Sequence, residues 1–389
     1  MTTMTQALTV PLPVVTSRPR LLTGAVIRLY AVDFAAMCSF YLLLSVVPLY
    51  AADRGIGSAG AGLSTGVLMF ASVAAEMAVP GLAARFGYRR LLMGGLVLLG
   101  VPALGLPTVT GLGALIAVSL VRGLGFAIVV VAVGAMAAMA IPEQRRGEGL
   151  GALGVVAMLP AVIALPLGVL LVGRVGYPVV FVAAAASAVM AVAVVPRQAK
   201  DTAGATHPRG LLAGMRRPAL LRPTLVFAAT AVAGGVVVAF LPGAVAGGVA
   251  VSALFVQSAT ATAARWLAGR HSDRHGAAGL LMPAVVVSAV GMGLTALTGS
   301  GVAVVAGMAV FGAGFGVAQS ASLNTMLERV HRSQYGAVSA AWNAAYDLGW
   351  GAGAMGIGLV VAGAGYPAAF AATAMLVLAA LPLARRARK

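Results

Sequence analysis

"GYPVVFVAAAA" occupies Gly176–Ala186, and "GYPAAFAATAM" occupies Gly365–Met375. Both open Gly-Tyr-Pro, both carry Phe five residues after the glycine, and the two glycines stand 189 positions apart. A stretch that returns half a chain later in 389 residues points to an internal duplication. What is duplicated follows from the composition around it.

The chain is 61% hydrophobic and 9% charged, with a mean hydropathy of +1.01. Soluble domains carry about 25% charged residues, so water is not the solvent this chain is built for. Apolar residues come in runs of about 20 closed by Gly, Pro or Arg, the length that crosses a bilayer core of roughly 30 Å. The runs predict spans at about 29–51, 59–81, 91–109, 112–140, 149–172 and 177–196. Six more follow at about 220–242, 248–268, 277–298, 301–325, 336–362 and 366–384. In lipid each must be helical, because no water satisfies a free backbone there. The fold class is therefore an all-α membrane protein of twelve transmembrane helices. The start of the chain has no charged stretch followed by an apolar core, so a short disordered tail is expected rather than a cleaved signal peptide. Cys38 is the only cysteine and excludes an intramolecular disulfide.

A net charge of +17 would suggest nucleic acid in a soluble protein, but its placement argues against that. Arg85, Arg89 and Arg90, then Arg145 and Arg146, Arg270 and Arg274, and Arg329 and Arg332 fall between alternate spans. The central connection holds Arg197, Lys200, Arg209, Arg216, Arg217 and Arg222. Arg18 and Arg20 lie at one end, and Arg385, Arg386, Arg388 and Lys389 at the other. Arg54 and Arg174 alone lie in the opposite loops. This asymmetry is the positive-inside pattern, placing both termini and the central loop in the cytoplasm of a cell inner (plasma) membrane.

Other landmarks repeat at the same offset. Gly87 in "RFGYRR" pairs with Gly276 in "DRHGAA", and Gly123 in "RGLGFA" with Gly312 in "GAGFGV", each 189 apart. Pro48 and Pro242 differ by 194, as a short insertion would produce. The expected organisation is a tail at 1–20, a six-helix bundle at 21–196, a linker at 197–219, a second bundle at 220–384 and a basic tail at 385–389. Two pseudo-symmetric bundles of this kind would hold a substrate site between them near the bilayer midplane.

On these residues the whole chain resembles a transporter of the major facilitator superfamily, of the drug or metabolite efflux type. "GRHSDRHG", Gly269 to Gly276, fits the family's Gly-x-x-x-Asp-Arg-x-Gly loop motif, with Arg270, Asp273 and Arg274 inside it. The first-half copy, "GLAARFGYRR", keeps Arg85, Gly87, Arg89 and Arg90 but has Ala84 where the family usually carries Asp. The resemblance implies that these loops latch one conformation by pairing charges with neighbouring helix ends, with Asp273 and Arg274 carrying more of the work. Antiporter members show Gly-Pro in helix five; "MLPAVIALPLG" offers Pro160 and Pro166, with Leu159 in place of Gly.

Charge inside a span is costly and is a functional hypothesis by default. Asp33, Glu76 and Asp347 are the acids read at membrane depth, and Arg122 is the basic residue read there. By helical rise Asp33 lies roughly 7 Å inward from Arg28 and Glu76 roughly 13 Å from Arg85. Arg122 opens "RGLGF", which in similar antiporters is tied to proton coupling. A buried guanidinium stays charged and can neutralise a carboxylate, so altered pairing would load or unload a proton; the plainer reading is a fixed ion pair. Glu76 is either a proton carrier or a structural stand-in for the Asp missing at 84. Asp347, with Asn343 four residues earlier, takes the place of Pro160 in the other half. That suggests gating or binding, against a simple helix–helix hydrogen bond.

Tyr41, Gln257, Gln319, Trp342, Asn343 and Tyr346 are the candidates for lining a substrate cavity, with packing the alternative for each. The glycines near Gly349, Gly353 and Gly356 fit close helix packing and lack the strand and Lys-Ser/Thr of a phosphate loop. His207, His271, His275 and His331 all read as loop residues. No nucleophile–base pair or metal-spaced cluster appears at depth, so neither an enzyme, a metal nor a cofactor is expected. The expectation is a monomeric secondary transporter, working by alternating access, that exports a small organic molecule coupled to protons. The alternative is a uniporter or symporter for a sugar-like or other metabolite; a non-transporting membrane sensor is a third.

Overall fold

The computed structural model describes residues 20–197, 217–331 and 334–387. The first half begins with α1 (Gly24–Leu44) and α2 (Val46–Asp53), separated at Ser45. It continues with α3 (Gly57–Phe86), then α4 (Tyr88–Gly100), which tightens into a 3-10 helix over Val101–Thr108. α5 (Leu112–Ala140), α6 (Arg146–Val175) and α7 (Tyr177–Val194) complete it. The second half holds α8 (Pro218–Ala244), α9 (Gly247–His275), α10 (Leu281–Thr295), α11 (Gly301–Leu327), α12 (Tyr335–Leu378) and α13 (Leu381–Ala387). Among the described residues eleven continuous segments are long and apolar enough to cross a membrane. The last of them, Tyr335–Ala387, breaks at Gly365 and crosses twice, which makes twelve spans.

Both Gly-Tyr-Pro copies are turn devices. Gly176 and Gly365 adopt φ 80° with ψ 167° and 175°, a conformation essentially reserved for glycine. Pro178 and Pro367 then fall in the first turn of the following helix, where a missing N–H leaves nothing unsatisfied. Gly87 and Gly276, with φ 79° and 80°, close α3 and α9 and donate to the Ala83 and Ser272 carbonyls. The duplication extends to helix contacts. A Cβ on Gly123 would overlap the Leu68 carbonyl, and one on Gly312 the Gln257 carbonyl. Gly125 packs in the same way on Gly95 and Leu99, and Gly314 on Ala284 and Ser288. Every member of the second set lies 189 positions after its counterpart.

Within the first half α1 packs on α6 and α7, while α3 and α4 pack on α5. In the second, α8 packs on α12, and α9 and α10 on α11. The halves meet along α3 with α12 and along α6 with α9. Large apolar side chains face outward all round, among them Val302 at 82% exposure, Leu359 at 69% and Met190 at 67%. A continuous apolar exterior suits acyl chains and would drive aggregation in water.

Several expectations change. Gly269–His275 is not loop: it forms the last two turns of α9, and only Gly276 ends the helix. His271 and His275 are therefore helical and stack at 4.5 Å, and Arg85 lies in the last turn of α3. Arg385 and Arg386 are not a free tail but belong to α13, which packs on α8. Arg222 donates to the Arg386 carbonyl at 2.9 Å, and Arg329 to the carbonyls of Ala219, at 2.6 Å, and Ala387. The expected tail at 1–20 and linker at 197–219 lie mostly outside the described residues, as do Arg332, Arg388 and Lys389.

Candidate functional site

The contact between α3 and α12 is built from small residues. A Cβ on Gly62 would overlap the Ala354 carbonyl, Gly66 packs on the Met355 side chain, and Gly351 lies against Gly66 and Met69. Ser58 donates to the Gly358 carbonyl at 3.4 Å near the end that carries Arg54. Farther along the same stripe Ser72 Oγ donates to Asp347 Oδ2 at 3.2 Å. Beyond that point the stripe is uncovered: Met77 is 65% exposed, and Ala84 and Ala340 are exposed. The two helices thus close toward the face of Arg54 and part toward the face of the chain termini.

Asp347 is buried and lies within electrostatic reach of Glu76, which is half-buried one turn beyond Ser72 on α3. A carboxyl group from each half therefore lies near the end of the α3–α12 contact, the two within electrostatic reach of each other. Tyr41 on α1 is buried, with Asp347, Asp33 and Arg265 within electrostatic reach. Tyr346 also has Asp347 and Arg265 around it.

Arg265 does not stand out as a deep residue in the sequence. Because α9 runs on to His275, it lies ten residues from the helix end, roughly 15 Å into the span. Arg122 is thus not the sole deep cation. The Arg265 guanidinium stands 6.0 Å from the centre of the Trp342 ring and approaches Met158 on α6 at 3.7 Å. Trp342 is held by its indole N–H, which donates to Ser322 Oγ at 2.9 Å, and by parallel stacking on Phe227 at 4.4 Å. Tyr346 and Trp350 extend this aromatic face; Tyr346 stands 6.2 Å from Trp342 and 5.1 Å from Trp350.

Arg122 is buried and, among the described residues, meets no carboxylate. Its Nε donates to the Leu99 carbonyl at 3.1 Å and an Nη to the Ser39 carbonyl at 3.3 Å. The local sequence explains the first bond. α4 switches to i→i+3 bonding after Gly100, and Pro102 has no N–H to offer Leu99, so the guanidinium satisfies that carbonyl. Arg122 therefore ties α1, α4 and α5 together. Asp33 is buried in α1, and its Oδ2 has no hydrogen-bond partner among the described residues. Among the described residues neither of these two arginines, and none of Asp33, Glu76 and Asp347, forms an ion pair.

Of the proposed cavity residues, Tyr41, Gln257, Gln319 and Trp342 are buried, Tyr346 is half-buried and Asn343 is exposed. Ser258 Oγ donates to Gln257 Oε1 at 3.2 Å. Pro160 and Pro166 are buried within an unbroken α6, where they leave the Val156 and Val162 carbonyls without helical donors. In the paired motifs Arg85 stacks over Phe86 and Arg270 over Trp266. Asp273 and Arg274 are exposed and form no ion pair among the described residues, consistent with halves that are parted at that face. No group of three or more His, Cys, Asp or Glu among the described residues is placed to hold a metal.

No curated protein sequence matches the chain. In fold it is similar to a bacterial homologue of the human lysosomal transporter Spinster in an inward-facing, occupied conformation. The TM-score is 0.80 at 14% identity, over 93% of this chain and 96% of that one. The unoccupied inward-facing form of that homologue gives 0.76 at 15% identity, over 94% and 96%. The nucleoside transporter NupG gives 0.72 at 14%, over 94% and 98%. The family model of the Major Facilitator Superfamily matches residues 29–354, most of the chain. With two six-helix halves meeting around buried polar groups, the chain belongs to the Major Facilitator Superfamily and is a membrane transporter rather than an enzyme.

Proposed function

We propose that this chain carries a small organic molecule by alternating access and couples the movement to protons. One observation carries the reading: Ser72 of one half is bonded to Asp347 of the other, with Glu76 one turn away. Two acids in one site repel when both are charged and can share a single proton. They lie on the terminus side of the α3–α12 crossing. Charged, they push that side apart and close the far side, which is the arrangement described above. With a proton between them that side draws together and the far side opens. The inward-facing Spinster homologue supports reading the open face as cytoplasmic, as does the placement of the arginines. Both termini then lie in the cytoplasm of the plasma membrane.

Export in exchange for protons is the sense the sequence favours, through Pro160, Pro166 and the "RGLGF" segment. One observation favours co-transport instead: Arg265, a cation between the halves with no acid paired to it among the described residues. The test is accumulation of a panel of labelled organic solutes in proteoliposomes under an imposed pH gradient. The wild type should concentrate a solute above equilibrium, and Asp347→Asn and Glu76→Gln should only equilibrate it. Wild-type flux that ignores the gradient, or variants that still concentrate solute, would contradict the reading.

A further inference from the structure

We infer that Arg265 and the aromatic face of Trp342 and Tyr346 form the substrate subsite, and that the substrate is an organic anion with a flat apolar body. The inference rests on the transport reading above and names the chemical class it acts on. A guanidinium this deep is costly unless something answers its charge. Arg122 shows how a structural arginine is accommodated here: two backbone carbonyls take its N–H groups. Arg265 has no such arrangement. Among the described residues its neighbours are a thioether at 3.7 Å, an indole face at 6.0 Å and the phenols of Tyr41 and Tyr346 within electrostatic reach, none of which replaces an anion.

Position strengthens the argument. Arg265 and Met158 come from α9 and α6, Tyr41 from α1, and Trp342 and Tyr346 from α12, so the subsite is assembled from both halves. A molecule bound there is held by groups that move relative to one another when the halves rock. The indole is already fixed by Ser322 and Phe227, so a flat ring stacking near it loses little to reorganisation of the protein. A carboxylate reaching Arg265 gains the bidentate geometry the guanidinium is shaped for.

The charge balance has a consequence for coupling. Tyr41 and Tyr346 lie within reach of both Arg265 and Asp347, so a bound anion adds negative charge beside the acid pair. Anion and proton then favour each other's binding and cross in the same direction. An organic cation would do the opposite and exchange with protons.

The test is calorimetric titration of the purified protein in lipid nanodiscs with 2-naphthoate, its neutral amide, and 2-naphthylmethylammonium. We expect naphthoate to bind roughly ten-fold or more tightly than the other two, as a charge-assisted bond implies. Repeating it in buffers of different ionisation enthalpy should show protons taken up with the anion. Arg265→Gln should abolish the preference and Arg265→Lys should keep part of it. Equal or tighter binding of the amide or ammonium, no binding of naphthoate by the wild type, proton release on binding, or a preference that survives Arg265→Gln would overturn the inference. The wild-type comparison among the three ligands stands even if a variant fails to fold. A failed anion preference with pH-driven opening intact would leave the proton reading standing, and the reverse result would sink that reading alone.

Discussion

Ser72 and Asp347 are joined by a 3.2 Å hydrogen bond that crosses from α3 of one half to α12 of the other. On the Arg54 side of this bond the helices touch through Gly62, Gly66, Gly351 and Ala354; on the terminus side they diverge past Met77 and Ala340. The bond therefore marks the level at which the two helices begin to separate, the pivot of the proposed movement, and Glu76 is the first acid beyond it.

Replacing Asp347 with Asn should imitate the protonated acid and raise the population open at the Arg54 face at neutral pH. Glu76→Gln should act in the same sense. Ser72→Ala removes a hydrogen bond to an acid, worth about 1.5–3 kcal/mol when charged, and should shift the balance roughly ten-fold or more toward separation at that level. Thiol labelling of Ser58→Cys in a Cys38→Ser background reads the opening at the Arg54 face, and unchanged labelling in all three variants would count against the pivot.

Arg122→Lys should lose the Leu99 and Ser39 carbonyl bonds and lower thermal stability. Adding Asp33→Asn should not restore it, since the structure pairs Arg122 with carbonyls and not with that acid. Rescue by Asp33→Asn in a melting experiment would show that the two charges do depend on each other.

Gly123→Ala and Gly312→Ala should destabilise by similar amounts, about 1–3 kcal/mol each, because each drives a methyl into a backbone carbonyl at the repeated contact. Gly134→Ala, where nothing lies within 4 Å of the added carbon, should be neutral or slightly stabilising. Thermal unfolding in detergent measures all three, and a marked asymmetry between the first two would argue against equivalent packing in the halves.

The repeat is legible in the sequence because glycine leaves a mark that only backbone geometry explains: Gly87, Gly176, Gly276 and Gly365 all take φ near 80°. Asp347 and Glu76 are legible because a carboxyl in an apolar run has few ordinary explanations. Arg265 escapes notice because the apolar run ends near Leu267, which places it close to an expected helix end. The signal lies in "GRHSDRHG", which has no proline and in which Gly269 stays helical, so α9 continues to His275 and ends at Gly276 with its positive φ. Asn343 shares the Asp347 side of the helix by its i−4 spacing, and it is exposed where Asp347 is buried because it lies one turn nearer the end at which α3 and α12 separate. That Arg122 binds carbonyls depends on the change of helix type at Val101 and Pro102, a backbone event that spacing alone does not reveal.

The central claim, that a proton held by Glu76 and Asp347 decides which face is open, is tested most directly by spin-label distances in a Cys38→Ser background. Labels at Arg54 and Gly299 report the far face, and labels at Gln144 and Gly279 the terminus face. Lowering the pH should lengthen the first distance and shorten the second, with Asp347→Asn fixed near the acid result at every pH. Distances that do not move with pH in the wild type, or a variant that still responds as the wild type does, would contradict the account.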